Sequence, residues 1–215
     1  VKYLLYQKKN NVLVDKNLYS QGMHLINNLE LHLNGNHYFT NGKALIFLGI
    51  YFNQLNNTFL IKGCNIIEYC VKNHFSKKGM HLERSPMYHA IVLEDLIDIF
   101  QVLNFSNINF KNKNNFLKFI KLKIYKIYYS YLLLLHPDNK ISFFNDSTFG
   151  ISSHYEYLKN YFEIIFKKKK ILKFTSKKIS FVNLDGFLIF YNESFYLIIN
   201  ACNDYLNFQK GHMHS

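Results

Sequence analysis

Proline and glycine are scarce in this chain of 215 residues, with two and nine copies. That scarcity argues against a disordered or low-complexity polypeptide, because such chains are enriched in both and poor in apolar side chains. Cysteine is scarcer than glycine and odd in number. Cys64, Cys70 and Cys202 show no metal-ligand spacing, so Cys64 and Cys70 are expected as buried thiols at or near one helix, and the redox compartment stays open. No apolar run reaches the ~18 residues that a membrane span needs; Tyr128 to Leu135 is apolar but too short. The first residues, Val1 to Asn10, carry no signal-peptide pattern. Acidic residues are also in deficit, 14 Asp and Glu against 26 Lys and Arg, for a net charge of +12. Such a charge invites a polyanion: nucleic acid, anionic lipid or acidic polysaccharide. Lys, Asn, Ile, Phe and Tyr are all abundant, as AT-rich codons would make them, so coding bias accounts for the charge equally well. No nucleic-acid motif accompanies it.

What the chain has is apolar and aromatic mass. It is 49% hydrophobic with 21 Phe and 17 Tyr, enough for a sizeable core in one large domain or one and a half smaller ones. The first two thirds read as consecutive helices joined by short connections, which makes neighbours antiparallel. The periodicity predicts helices over Gln21–Leu33, stopped by Asn34-Gly35, over Phe39–Phe52, over Asn65–His74 with Asn65 as N-cap, over Ala90–Leu103, over Asn115–Leu135 and over Tyr155–Lys167. His136-Pro137-Asp138-Asn139 is a turn signal. Lys167 to Lys170 reads as a solvated run, and after it the texture changes. Ile171–Phe174, Lys178–Leu184, Phe187–Tyr191 and Phe195–Asn200 are short runs of β-formers. Asp185-Gly186 between two of them is a hairpin signal. The fold class expected is therefore α+β, with a helical domain over 1–170 and an antiparallel sheet over 171–215 that has few strands.

Three polar clusters interrupt this plan. Gly35-Asn36-His37 lies between two helices. Gly79 to His89 packs His81, Glu83, Arg84, Tyr88 and His89 into eleven residues before a helix. Gly211-His212-Met213-His214 follows the last strand. Polar and ionisable groups gathered where a loop enters a helix mark a site more often than a solvated surface. Pro86 suits a first helical turn and Ser85 an N-cap, which would hold Tyr88 and His89 on a rigid element. Singly, each cluster has an ordinary reading: Asn36 as a helix cap, His89 as a packed histidine, Tyr88 as a core tyrosine with a satisfied hydroxyl. His212 and His214, two residues apart on a strand, would share one face, a workable metal geometry.

Together the clusters resemble one family. Asn34 to Leu45 resembles the "GNHLxxNxKAL" segment of heparinase II/III-like polysaccharide lyases, and Gly79 to Asp98 resembles their "GGHFERSPMYHxxVLEDLLD" segment almost throughout. Phe144-Asn145-Asp146-Ser147 resembles their "FNDS", and Gly211 to His214 the start of "GHAHAD". Order and approximate spacing agree from about residue 20 to 215. The chain departs at Met80, where a second Gly is usual, and at Asn200, where an Asp often stands. The resemblance implies an incomplete (α/α) toroid of helical hairpins followed by the first strands of an antiparallel β-sandwich. It also implies that the chain, which begins with Val and ends inside a motif, is a fragment of a larger enzyme.

The activity so implied is β-elimination on a uronic-acid-containing polysaccharide. Asn36 and His37 resemble the pair that binds and neutralises the uronate carboxylate; Tyr88 resembles the catalytic tyrosine and His212 the histidine base. Glu83, Arg84 and His89 would bind substrate, with loop ordering or a structural salt bridge also open for Glu83 and Arg84. His214 resembles a zinc ligand of some members, whereas the elimination itself needs no cofactor. The partner implied is an acidic polysaccharide, of heparan, alginate or bacterial surface type, and the location is the periplasm or cell envelope. The competing expectations are a glycan-binding pseudo-enzyme and a non-functional truncated product. Nothing in the sequence sets the oligomeric state.

Overall fold

The computed structural model describes residues 12–31, 35–52, 57–167 and 177–201. Among these, six helices precede one sheet: α1 (Val12–Asn27), α2 (Gly35–Tyr51), α3 (Thr58–Asn73), α4 (Pro86–Phe105), α5 (Lys113–Leu133) and α6 (Tyr155–Phe166), then β1 (Ser180–Leu184), β2 (Phe187–Tyr191) and β3 (Tyr196–Asn200). The α+β class and the order of helices before strands are as expected from the sequence. The expected run 171–174 and the boundary at residue 170 lie outside the described residues. The chain forms two compact units, Val1–Asn73 with Asp98–Lys121, and His74–Ile97 with Leu122–Ser215.

In the first unit α2 and α3 form the tightest pair. Phe59, Leu60, Cys64, Ile67, Cys70 and Val71 recur at three- and four-residue steps on α3 and are buried, as an amphipathic helix requires. Each fully buried Leu, Ile or Phe contributes about 1.5–3 kcal/mol. The sequence places the start of this helix at Asn65, as its N-cap, whereas the helix begins at Thr58. Gly63 sits mid-helix where a Cβ would lie 2.8 Å from the carbonyl oxygen of Gly42 and from the amide nitrogen of Ile46. The close crossing with α2 selects glycine there, at a propensity cost of about 1 kcal/mol. Asn65 is therefore a mid-helix residue and not a cap. Cys64 and Cys70 are free and buried on this helix as expected, and desolvation pushes both thiols up to about 12. Cys202 lies outside the described residues.

Three helix ends also moved. α1 begins at Val12, nine residues before the expected start at Gln21, and stops at Asn27, six residues before the expected end. Asn28 explains the stop: its side-chain amide donates to the His24 carbonyl at 2.9 Å, and its backbone N–H reaches the Leu25 carbonyl at 3.2 Å. α2 begins at Gly35, so Asn36 and His37 lie in its first turn rather than in a connection between helices.

In the second unit the sheet has the order β1-β2-β3, antiparallel throughout, with Leu184 opposite Phe187 and Tyr191 opposite Tyr196. Asp185 and Gly186 both have positive φ, 51° and 103°, the two-residue turn whose twist matches its strands. One sheet face is apolar and covered: Leu184, Phe187 and Ile189 pack with Leu133 at the end of α5, with Leu134 just after it and with Met80. Met80, where the family usually has glycine, therefore fills the core beneath the sheet. The end of α5 gives the sheet the cover that three strands need to be stable. The His136–Asn139 turn lies between Leu135 and Ile141, which form an isolated bridge.

Candidate functional site

The segment from His74 to His89 is built as a closed loop. Phe75 and His81 form an antiparallel bridge, and the N–H of Leu82 donates to the His74 carbonyl at 2.9 Å. Gly79 turns the loop at φ 93°, and a Cβ there would lie 2.7 Å from the carbonyl carbon of Lys126. Only glycine meets both conditions. Ser130 Oγ of α5 donates to the Lys78 carbonyl at 2.8 Å. The loop is thus pressed on the backbone of α5, which needs no charged partner to hold it.

His89 is completely buried. Its Nδ1 accepts the N–H of His81 at 3.2 Å and its Nε2 faces the Ile127 carbonyl at 2.9 Å. Those partners fix the neutral tautomer with hydrogen on Nε2. Desolvation lowers its pKa to about 4, against a small upward pull from the Ile127 bond. The expectation of substrate contact for His89 does not fit this position, since none of its side chain reaches the surface. It ties the loop to α5. His81, 1% exposed, packs edge-on against Phe75 with ring centroids 4.9 Å apart. Burial, then His89 and His74, hold its pKa well below the usual value.

Ser85 and Pro86 open α4 as expected, and a second serine joins them. The N–H of Tyr88 reaches Ser85 Oγ at 3.3 Å, and that of Met87 reaches Ser147 Oγ at 3.2 Å. The two hydroxyls lie 3.0 Å apart. Asn145 Nδ2 donates to the Glu83 carbonyl at 3.1 Å. The Phe144–Ser147 motif, 60 residues downstream of the loop in sequence, therefore caps the helix that carries Tyr88. Capping hydroxyls are worth about 1 kcal/mol each.

Tyr88 is half-buried in that first turn. Its phenol pKa is raised, first by desolvation and then by the charges of Asp146 and Glu83. The direction keeps the proton on the phenol at neutral pH. Arg84 is buried, with a left-handed φ of 56°. Glu83 is half-buried.

In the first unit His37 is exposed and Asn36 half-buried. His37 Nδ1 lies 3.5 Å from Glu30 Oε1. Glu30 is fixed in turn by Asn41, whose Oδ1 accepts the Glu30 N–H and whose Nδ2 donates to Glu30 Oε2, both at 2.9 Å. Lys43 pairs at 3.1 Å with Asp98, which is almost fully buried. Asn41 and Lys43, matching letters in the first motif to which the sequence reading gave no role, are thus the frame of that turn, and Asp98 closes the second motif against it. Asn36 with His37, and Tyr88 with Glu83 and Arg84, belong to different compact units, each described by itself. His212 and His214 lie outside the described residues. Among the described residues no group of three or more His, Cys, Asp or Glu side chains is placed to hold a metal ion, and no helix is long and apolar enough to cross a membrane.

Residues 9–174 match the family model described as Heparinase II/III N-terminus. No curated protein matches the chain. Among solved structures it is similar to heparinase III, with TM-score 0.63 and 18% identity over 86% of this chain and 32% of that one. It is also similar to the heparinase III BT4657 gene product, with TM-score 0.62, 16% identity, 80% of this chain and 28% of that one. A third is heparan sulfate lyase HepC from Pedobacter heparinus, with TM-score 0.57, 16% identity, 80% of this chain and 30% of that one. Identities this low establish likeness of fold, and the chain spans no more than 32% of any of the three.

Proposed function

The chain belongs to the heparinase II/III family, and from that premise we propose that it is part of a polysaccharide lyase of the cell envelope that cleaves a uronic-acid-containing glycan by β-elimination. In that reaction a base takes the C5 proton, the C4–O4 bond breaks, a C4=C5 double bond forms and an acid protonates the departing O4. Tyr88 is the acid. The observation that carries the reading is its placement: a phenol with a raised pKa in the first turn of α4, on a helix N-terminus capped by Ser85 and Ser147. A phenol with a reference pKa of about 10 retains its proton until negative charge develops on O4.

Asn36 and His37 hydrogen-bond the uronate carboxylate, which lowers the barrier to removing the C5 proton by stabilising the enolate-like charge. His212 serves as base and comes from the undescribed end of the chain; zinc at His214 is assigned no step. Arg84 and Glu83 order the loop around Tyr88. The basic surplus of the chain favours an anionic glycan.

The test uses the full-length protein and a panel of heparan-, alginate- and other uronate-containing polymers. Products with an unsaturated uronate end absorb in the ultraviolet and grow with time. Tyr88→Phe should stop their formation while leaving glycan binding nearly unchanged. Absence of unsaturated products across the panel, with binding intact, would favour a glycan-binding module and sink the lyase reading.

A further inference from the structure

A cavity of about 200 Å³ opens beside the loop, lined by Ser76, Met80, His81, Leu82, Arg84 and Asp185. Only Arg84 among them has a part in the elimination just described. Water takes up ~30 Å³ per molecule in the liquid, so the space equals roughly six or seven waters, on the scale of one six-membered ring.

Five features mark it as a built site. His81 is 1% exposed, and its Nδ1 has no hydrogen-bond partner among the described residues; a buried polar atom left so costs about 1–3 kcal/mol, a cost that a ligand hydroxyl would remove. Arg84 holds a left-handed backbone, φ 56°, disfavoured for an L side chain by about 1–2 kcal/mol, and such strain collects at ligand clamps. The Ser76 hydroxyl donates to the Asp185 carboxylate and fixes the hairpin turn at the cavity wall. Met80 and Leu82 supply apolar surface. Arg84 and Asp185 carry opposite charges, so the lining sums to zero in a chain of net charge +12.

We propose that this cavity is a subsite for an uncharged, hydroxyl-bearing sugar unit, with Asp185 accepting from ring hydroxyls, Arg84 and His81 bonding others, and Leu82 and Met80 against the apolar face of the ring. A carboxylated or sulfated unit would meet Asp185 as well as Arg84, so its charge gains no net attraction from this lining. The inference rests on the glycan reading and deepens it: a neutral sugar accompanies the acidic one in the polymer.

The experiment follows the histidine ring resonances of the ¹³C-histidine-labelled chain during titration with methyl glucoside, glucuronate and N-acetylglucosamine 6-sulfate. Methyl glucoside should shift His81 saturably, with the two charged sugars weaker by about tenfold or more. Leu82→Phe fills the cavity and should weaken methyl glucoside by about tenfold. Asp185→Asn should do so to a similar degree, each variant keeping the wild-type melting curve. Equal or tighter binding of either charged sugar, unchanged binding in both variants, or no shift of His81 at tens of millimolar sugar would overturn the proposal. Turnover enters none of these readings, so their failure leaves the lyase reading standing. Failure to form unsaturated products would in turn leave the subsite standing.

Discussion

The turn that carries Asn36 and His37 and the loop that carries Tyr88 are built in opposite ways. Around Tyr88 the frame is buried and made of backbone: Gly79 lies against α5, His89 bridges two main-chain groups, and two serines cap α4. Around His37 the contacts are polar and near the surface, a 3.5 Å approach to Glu30 and the Glu30–Asn41 pair. The difference follows the chemistry proposed for each. A proton donor must be held within a few tenths of an ångström of O4. A carboxylate-binding pair must stay reachable by a charged, hydrated polymer.

The sharpest way to separate the two is Tyr88→Phe. It should lower turnover of the full-length enzyme by about 10²–10⁴-fold and shift stability by less than about 1 kcal/mol. A loss of fold in this variant would make the tyrosine structural and erase the contrast. Gly79→Ala strikes the frame itself. The left-handed φ costs about 1–2 kcal/mol and the clash with Lys126 a similar amount, so urea unfolding should show a loss of about 2–4 kcal/mol. A loss under 1 kcal/mol would mean that the loop is not pressed on α5.

Acid offers a third test. The folded pKa of His89 is about 4, below its unfolded value of about 6.5. Between those values the unfolded chain binds more protons, so stability falls as pH drops through that window and is independent of this group above it. The full effect is about 3 kcal/mol at 1.36 kcal/mol per pH unit. His89→Gln keeps a donor and an acceptor but cannot titrate, so its stability should fall less than the wild type between pH 7 and pH 4; parallel curves would remove His89 from the frame. Ser147→Ala should cost about 1 kcal/mol through the lost cap, and amide exchange at Met87 should quicken. Least affected is His37→Ala, within about 0.5 kcal/mol of wild type as an exposed substitution. A larger loss would show that the first turn of α2 is as tightly framed as the loop.

Much of this was legible beforehand, and the reasons are local. Ser85-Pro86 announced the start of α4, and Asp185-Gly186 announced the hairpin, because capping and turn preferences act within a few residues. The order of helices and strands followed from periodicity. The start of α3 was not legible, because Gly63 is selected by the backbone of α2 and not by its own helix. Ser147 was found only as part of a motif; its work at Met87 depends on a partner 60 residues away. The cavity brings Asp185 beside Ser76 across 109 residues, and no spacing rule reaches that far.

The sequence by itself determined the element types, the place of Tyr88 at a helix start and the family likeness, all of which rest on short-range preferences and on residue order. Only the tertiary structure decided that His89 is a neutral strut and not a substrate ligand, that Met80 belongs to the core, and that the neighbours of Tyr88 raise its pKa. Burial and the charges brought close by packing set those outcomes, and both arise only when distant segments meet.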